Sequence, residues 1–229
     1  MNWRHLLMAA CITCGFYVPT FAQDDISKQL WVDYNRGRGL KNDLEFYGDF
    51  GLRTELNNAE WARIVARPGL RGPWKDFRWS AGVGGFYTSN QNALDGLEIR
   101  PYQGLSATWP KGRVPIHHYF RLEQRFDFNT GNWDVTASLR FRYRIQIQLL
   151  WSGLKGKAHW RALLHIEGFA TLSGEAGQFD EDWRLGFGVE RVFRSTYRIR
   201  VDLTWQKSGL PLSGGSTDDL YIRFRLFHD

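Results

Sequence analysis

The 229-residue chain carries 30 Lys and Arg against 24 Asp and Glu, a formal net charge of +6, and 16% of its residues are aromatic. That length suits one large all-β domain or two small ones. Its only cysteines, Cys11 and Cys14, fall within the first 22 residues, so the rest has no disulfide framework and must stand on backbone pairing and burial.

Residues 1–22 read as a signal peptide. Arg4 precedes an apolar run from Leu6 to Val18, and Thr20 and Ala22 are the small residues before a cut at Gln23. The run is too short to cross a bilayer as a helix. A lipoprotein cut before Cys11, after Leu7-Met8-Ala9-Ala10, is the alternative, opposed by how little apolar chain would precede it. Export argues against a nucleic-acid partner, so the basic balance takes its meaning from where the arginines lie.

From residue 23 onward, two-residue alternation dominates. Leu44, Phe46, Phe50 and Leu52 oppose Glu45, Tyr47, Asp49 and Arg53. Ile116, His118, Phe120, Leu122 and Phe126 oppose His117, Tyr119, Arg121, Glu123, Arg125 and Asp127. Every odd position from Trp133 to Leu149 is apolar, against Asp134, Thr136, Ser138, Arg140, Arg142, Arg144, Gln146 and Gln148. Further on, Trp160, Ala162, Leu164 and Ile166 oppose Arg161, His165 and Glu167, and Tyr197 to Trp205 and Leu220 to Leu226 repeat the rule. A period of two over so many residues is a strand with one dry and one wet face.

Eleven strands are expected, near residues 28–35, 43–54, 60–71, 76–88, 97–109, 115–128, 132–150, 158–171, 182–193, 196–207 and 218–227. Short turn segments such as Asn57-Asn58, Gly72-Pro73, Pro110-Lys111-Gly112, Asn129-Thr130-Gly131 and Gly153-Leu154-Lys155-Gly156 separate them, which predicts an up-and-down antiparallel meander. Because single-chain bacterial barrels have even strand numbers, a transmembrane β-barrel of about twelve strands is expected, with ten as the alternative.

Alternation alone does not say which face is inside. Strands of about 12 residues exceed the usual five or six of soluble sheets and match a tilted membrane strand. Trp79, Trp109, Trp133, Trp151, Trp160, Trp183 and Trp205 gather near strand ends on the apolar face, where an amphipathic ring suits the headgroup level. With the leader, these features give one barrel domain over residues 23–229 in the outer membrane. A lipocalin-like barrel or other soluble periplasmic β-protein is the competing reading.

On that assignment Arg140, Arg142 and Arg144 stand about 6.8 Å apart along one strand and need water, carboxylates or a bound anion. Glu45, Asp49, Glu98, Glu123, Asp127, Glu167, Glu190 and Asp202 share the wet face. Two readings stay open: a salt-bridge lattice that fills the lumen, or a basic passage or pocket for acidic small solutes. Arg100, Tyr102, Arg121, Glu123, Arg125, Arg140, Arg142 and Arg144 are the candidate lumenal residues for anion selectivity. Gly82, Gly84, Gly186 and Gly188 lie on wet faces, leaving gaps where a bulky neighbour could lean or a solute pass.

No catalytic constellation is recognised. His165 and Glu167 share a face without a serine beside them, and His117 and His118 point to opposite faces, so no nucleophile–base set, metal centre or cofactor is expected. A small lipid-modifying enzyme is the remaining catalytic alternative, with His165 its first test.

Four segments are familiar together: Leu30-Trp31-Val32-Asp33-Tyr34, Glu98-Ile99-Arg100-Pro101-Tyr102-Gln103-Gly104, His118-Tyr119-Phe120-Arg121-Leu122-Glu123-Gln124-Arg125-Phe126 and Arg140-Phe141-Arg142-Tyr143-Arg144. In this order they resemble the domain-of-unknown-function 2490 family, predicted outer-membrane β-barrels of Gram-negative bacteria. The resemblance covers nearly all of the chain after the leader. It implies the barrel, its location in outer-membrane lipid and dependence on the barrel-assembly machinery, and it implies no activity. Many such barrels finish on an aromatic residue that this machinery reads, whereas here His228 and Asp229 follow Phe227.

Overall fold

The computed structural model describes residues 26–57, 59–110, 114–152, 159–174, 181–194, 196–209 and 216–228. The expected leader with Cys11 and Cys14, part of the Pro110-Lys111-Gly112 turn and the Gly153–Gly156 turn lie outside these residues, as does the Trp151 side chain.

Every described element is a strand: β1 (Ser27–Gly39), β2 (Glu45–Glu55), β3 (Trp61–Trp74), β4 (Phe77–Asn90), β5 (Gly96–Thr108), β6 (Ile116–Asn129), β7 (Val135–Ser152), β8 (His159–Gly174), β9 (Glu181–Arg194), β10 (Tyr197–Gly209) and β11 (Ser216–His228). Each of the eleven expected strands is present. The extrapolation to twelve is not: the described strands close into a barrel of eleven. In a meander with an odd count the first and last strands run the same way, so their pairing must be parallel. That is the seam observed, ten residue pairs from Ser27↔Asp219 to Arg36↔His228, whereas all other neighbours are antiparallel.

Boundaries also differ: Gly72 and Pro73, expected as a turn, lie inside β3 and pair with Trp79 and Arg78. Residues 132–134 were expected to open β7, yet the strand begins at Val135. Trp133 has φ 60°, and its N–H donates to the Asn129 carbonyl at 2.7 Å while the Asn129 N–H donates to Asp134 at 2.9 Å. Alternation continued through the tip of this hairpin, but the hydrogen bonds close it into a turn.

The barrel is inverted relative to a water-soluble core. Six large apolar or aromatic side chains are buried among the described residues, against twenty polar or charged ones. Thirty-eight large hydrophobic residues are exposed, including Val32, Phe50, Ile64, Phe120, Ile166, Phe187, Leu203 and Ile222 around the outer wall. The apolar set of every strand therefore points outward.

Two inner-face glycines make room for large neighbours. A Cβ at Gly82 would stand 2.4 Å from both the Pro68 carbonyl oxygen and the Tyr102 hydroxyl, and one at Gly186 would stand 2.1 Å from the His165 ring. Of the two roles expected for these gaps, these two are taken by neighbouring side chains.

Candidate functional site

With the end where β1 begins called the near end and the other the far end, the lumen divides into two regions. The first is a layer crossing its near half. Glu98, Glu123 and Glu167 project inward from β5, β6 and β8, each no more than 2% exposed. Glu98 accepts from Arg63 (3.1 Å), Arg100 (2.8 Å) and Arg125 (2.8 Å). Glu123 accepts from Arg140 at 2.7 and 3.0 Å, with Arg121, Arg142 and Arg100 at 3.3, 3.5 and 3.6 Å. Glu167 takes both arms of Arg142 at 2.5 and 3.0 Å and lies 3.6 Å from Arg184.

Aromatic rings separate the guanidinium groups. Phe86 lies under Arg100 (4.4 Å) and Arg63 (5.0 Å), and Phe169 under Arg184 (4.9 Å), Arg140 (5.0 Å) and Arg142 (5.4 Å). Arg53 stacks on Trp31 at 3.9 Å, and Trp31 on Tyr221 at 3.8 Å. A guanidinium held over a ring face keeps an attractive contact where carboxylates are too few. The layer closes on itself through Arg184→Gln206 (2.6 Å), Gln206→Asp219 (3.0 Å), Gln29→Asp219 (3.1 Å) and the Trp31 N–H to Gln29 (3.0 Å). All eleven strands contribute to it, with Arg53 from β2 and Phe86 from β4 completing the ring.

Over the whole lumen the buried charge is balanced, although within the layer itself arginines outnumber glutamates. Seven buried arginines stand against seven buried carboxylates among the described residues. Desolvating such ions is costly, and removing one member leaves the other uncompensated, so buried pairs act as a unit. Further along the lumen, Glu190 holds Arg200 at 2.8 Å and Arg161 at 3.2 Å, Asp202 holds Arg225 at 2.6 Å, and Asp33 pairs with Arg223.

The second region is a cup of about 1280 Å³ that opens at the far end. Its floor includes Tyr102, Arg121, Arg142, Arg67 and Asp49; Arg144, Gln146 and His117 form one wall, and Arg71, Arg78 and Glu45 another. Nine arginines and four carboxylates line it among the described residues. Positive charge is in clear excess here.

The eight candidate residues thus part company. Arg100, Glu123, Arg125 and Arg140 lie in the layer, their charges matched by neighbours. Tyr102, Arg121, Arg142 and Arg144 reach the cup. Tyr102 accepts from the Tyr47 hydroxyl at 2.8 Å and lies beneath Arg121 at 4.2 Å. Arg144 has no carboxylate within salt-bridge distance among the described residues; its contact is the Tyr119 ring at 5.4 Å. Sequence reasoning passed over Trp31, Phe86, Phe169 and Tyr221 as lumenal groups. Their signal was parity, since each sits in step with inward polar residues such as Asp33, Thr88, Glu167 and Asp219. Arg38, Arg67, Arg71 and Arg78 were not singled out because none stands in a consecutive same-face row of arginines like that of β7, and they are spread over β1, β3 and β4.

The histidines are held by other groups. His117 Nδ1 lies 2.9 Å from the Thr108 hydroxyl. His118 lies 2.8 Å from the Tyr143 hydroxyl and 2.9 Å from the Trp109 carbonyl. His165 is seated over Gly186.

The fold and site define a closed β-barrel with an apolar outer wall, a salt-bridged lumenal layer and a one-ended basic cup. The chain belongs to the family described as Protein of unknown function (DUF2490), whose model matches residues 28–218. No curated protein matches the sequence.

Proposed function

We propose that this chain is an outer-membrane β-barrel, closed across the near half of its lumen, that binds a solute in its far-end cup instead of conducting through an open channel. The membrane reading rests on the inverted partition. At about 1 kcal/mol for each half-exposed apolar side chain, the thirty-eight exposed large hydrophobics would cost water-facing surface more than the roughly 5–15 kcal/mol that stabilises a domain. Lipid removes that cost. A thirteen-residue strand such as β1, at about 3.4 Å per residue and a tilt of about 40°, rises about 34 Å, enough to cross an apolar band of about 25 Å.

The observation that favours binding over conduction is the layer around Glu123, which is fully buried among Arg100 of β5, Arg121 of β6 and Arg140 and Arg142 of β7. An anion path would need those arginines to face water, whereas they face carboxylates and rings. Export fits the leader expected at residues 1–22. The test has two arms. Unboiled protein in cold detergent should migrate differently from boiled protein, and reconstituted protein should give no conductance steps in a planar bilayer. A soluble protein without a gel shift would overturn the membrane reading, and sustained conductance would overturn closure.

A further inference from the structure

We propose that the far-end cup is a binding site for an organic polyanion, a solute carrying at least two separated phosphate or carboxylate groups, with Arg144 as its principal direct contact. This deepens the reading of the chain as a solute-binding barrel and rests on it.

The argument begins with which cup arginines are already satisfied. Arg67 is paired with Asp49, Arg121 with Glu123, Arg142 with Glu167, Arg223 with Asp33 and Arg225 with Asp202. Two places differ. Arg144, on β7, has no carboxylate within salt-bridge distance among the described residues and borders the cup beside Gln146 and His117. Further round the wall, on β3 and β4, Arg71 and Arg78 share the single carboxylate of Glu45. Positive charge is thus left over at two separate points on the wall of one cavity.

Their separation restricts the ligand. Arg78 on β4 and Arg144 on β7 are three strands apart, roughly 14 Å around the wall at about 4.8 Å per strand. A single inorganic ion meets one of these points. An extended molecule with anionic groups towards both ends meets both, and 1280 Å³ accommodates one. Arginine suits phosphate and carboxylate alike because its planar fork donates two parallel hydrogen bonds to either.

The charge of the two barrel ends is an independent observation in the same direction. The near end carries Glu55, Glu60, Asp95, Asp134, Asp182 and Asp218 against Lys28 and Lys207. The far end carries Arg38, Lys41, Lys75, Arg78 and Arg198 against Asp43, Glu45 and Asp76 in its described turns and strand ends. Such a field attracts anions to the end where the cup opens and repels them from the other.

The experiment is calorimetric titration of the full-length barrel in neutral detergent with four probes: fructose 1,6-bisphosphate, trigalacturonate, inorganic phosphate and uncharged maltotriose. Either extended polyanion should bind at least ten-fold more tightly than inorganic phosphate, and maltotriose should not bind. Binding of the bisphosphate alone assigns phosphate esters, and binding of trigalacturonate alone assigns carboxylates. Arg144→Gln should weaken binding at least ten-fold, with Arg144→Lys falling between; Arg191→Gln, on the outer wall, should leave it unchanged. Glu167, which faces Arg144 across β7 and β8, keeps Arg142 as its direct partner when Arg144 is replaced, and the cold-detergent gel shift checks that each variant folds. Failure of both polyanions to bind, equal binding of maltotriose, or an unaffected Arg144→Gln variant would overturn the assignment. If the gel shift persists in those cases, the barrel reading stands and only the cup's ligand is refuted.

Discussion

Glu123→Gln is the sharpest test of the lumenal layer. The side chain keeps its shape but loses the charge that accepts from Arg140 at 2.7 and 3.0 Å and faces Arg121, Arg142 and Arg100 within 3.6 Å. Three glutamates serve seven arginines in this cluster, so the substitution leaves two glutamates for the same seven. Breaking a buried pair on one side costs about 3–5 kcal/mol because the partner charge stays buried. With a urea dependence of about 2–3 kcal/mol per molar, the unfolding midpoint should fall by roughly 1–2 M. The assay is urea unfolding of the barrel in lipid vesicles, followed by tryptophan fluorescence. The double variant Glu123→Gln with Arg140→Gln should recover part of the loss, since it removes a mismatched charge, and a double-mutant cycle isolates that coupling. A single-variant loss below about 1 kcal/mol, with no coupling to Arg140, would mean that water reaches this layer and that the closed-lumen argument is wrong.

Other substitutions probe other parts of the fold. Gly82→Ala should destabilise by about 1–3 kcal/mol, because a Cβ there meets the Pro68 carbonyl at 2.4 Å and overpacking of that kind forces the backbone to shift; vesicle unfolding measures it. Ile222→Arg, on the outer wall, should cost about 2–4 kcal/mol if that face meets the bilayer midplane, and no change in unfolding or membrane partitioning would contradict a lipid-facing wall. The Asp95 carboxyl, in the turn after β4, is held below its ordinary range by the Tyr87 hydroxyl and then by the Asn90 N–H. A depressed folded value places its support above the unfolded pKa and removes it as pH falls through the folded value. Amide exchange at residues 90–95 should therefore quicken relative to the strands on acidification through that range, and Asp95→Asn should abolish the pH dependence.

Much of this protein is written in local chemistry. Alternation from Val135 to Leu149 fixes which residues share a face, because successive side chains of an extended backbone point to opposite sides whatever surrounds them. The same rule placed Glu98, Glu123 and Glu167 on the face of Arg140, Arg142 and Arg144, and all eleven strands could be read from the sequence. Parity does not say which face is inside, and that choice came from closure, which turned Leu203 and Ile222 outward and sealed Glu123. Counting gave eleven strands, and only the even-number rule moved the expectation to twelve, because that rule assumes antiparallel closure, whereas the seam from Ser27↔Asp219 onward is parallel. The stagger of neighbouring strands then decides which arginine meets which carboxylate. It sets Arg140 into the salt-bridged layer and Arg142 between layer and cup, paired with Glu167, and leaves Arg144, two residues further along the same strand, at the cup with no carboxylate within salt-bridge distance among the described residues. Local sequence carries no signal for that difference, since the partners come from strands distant along the chain.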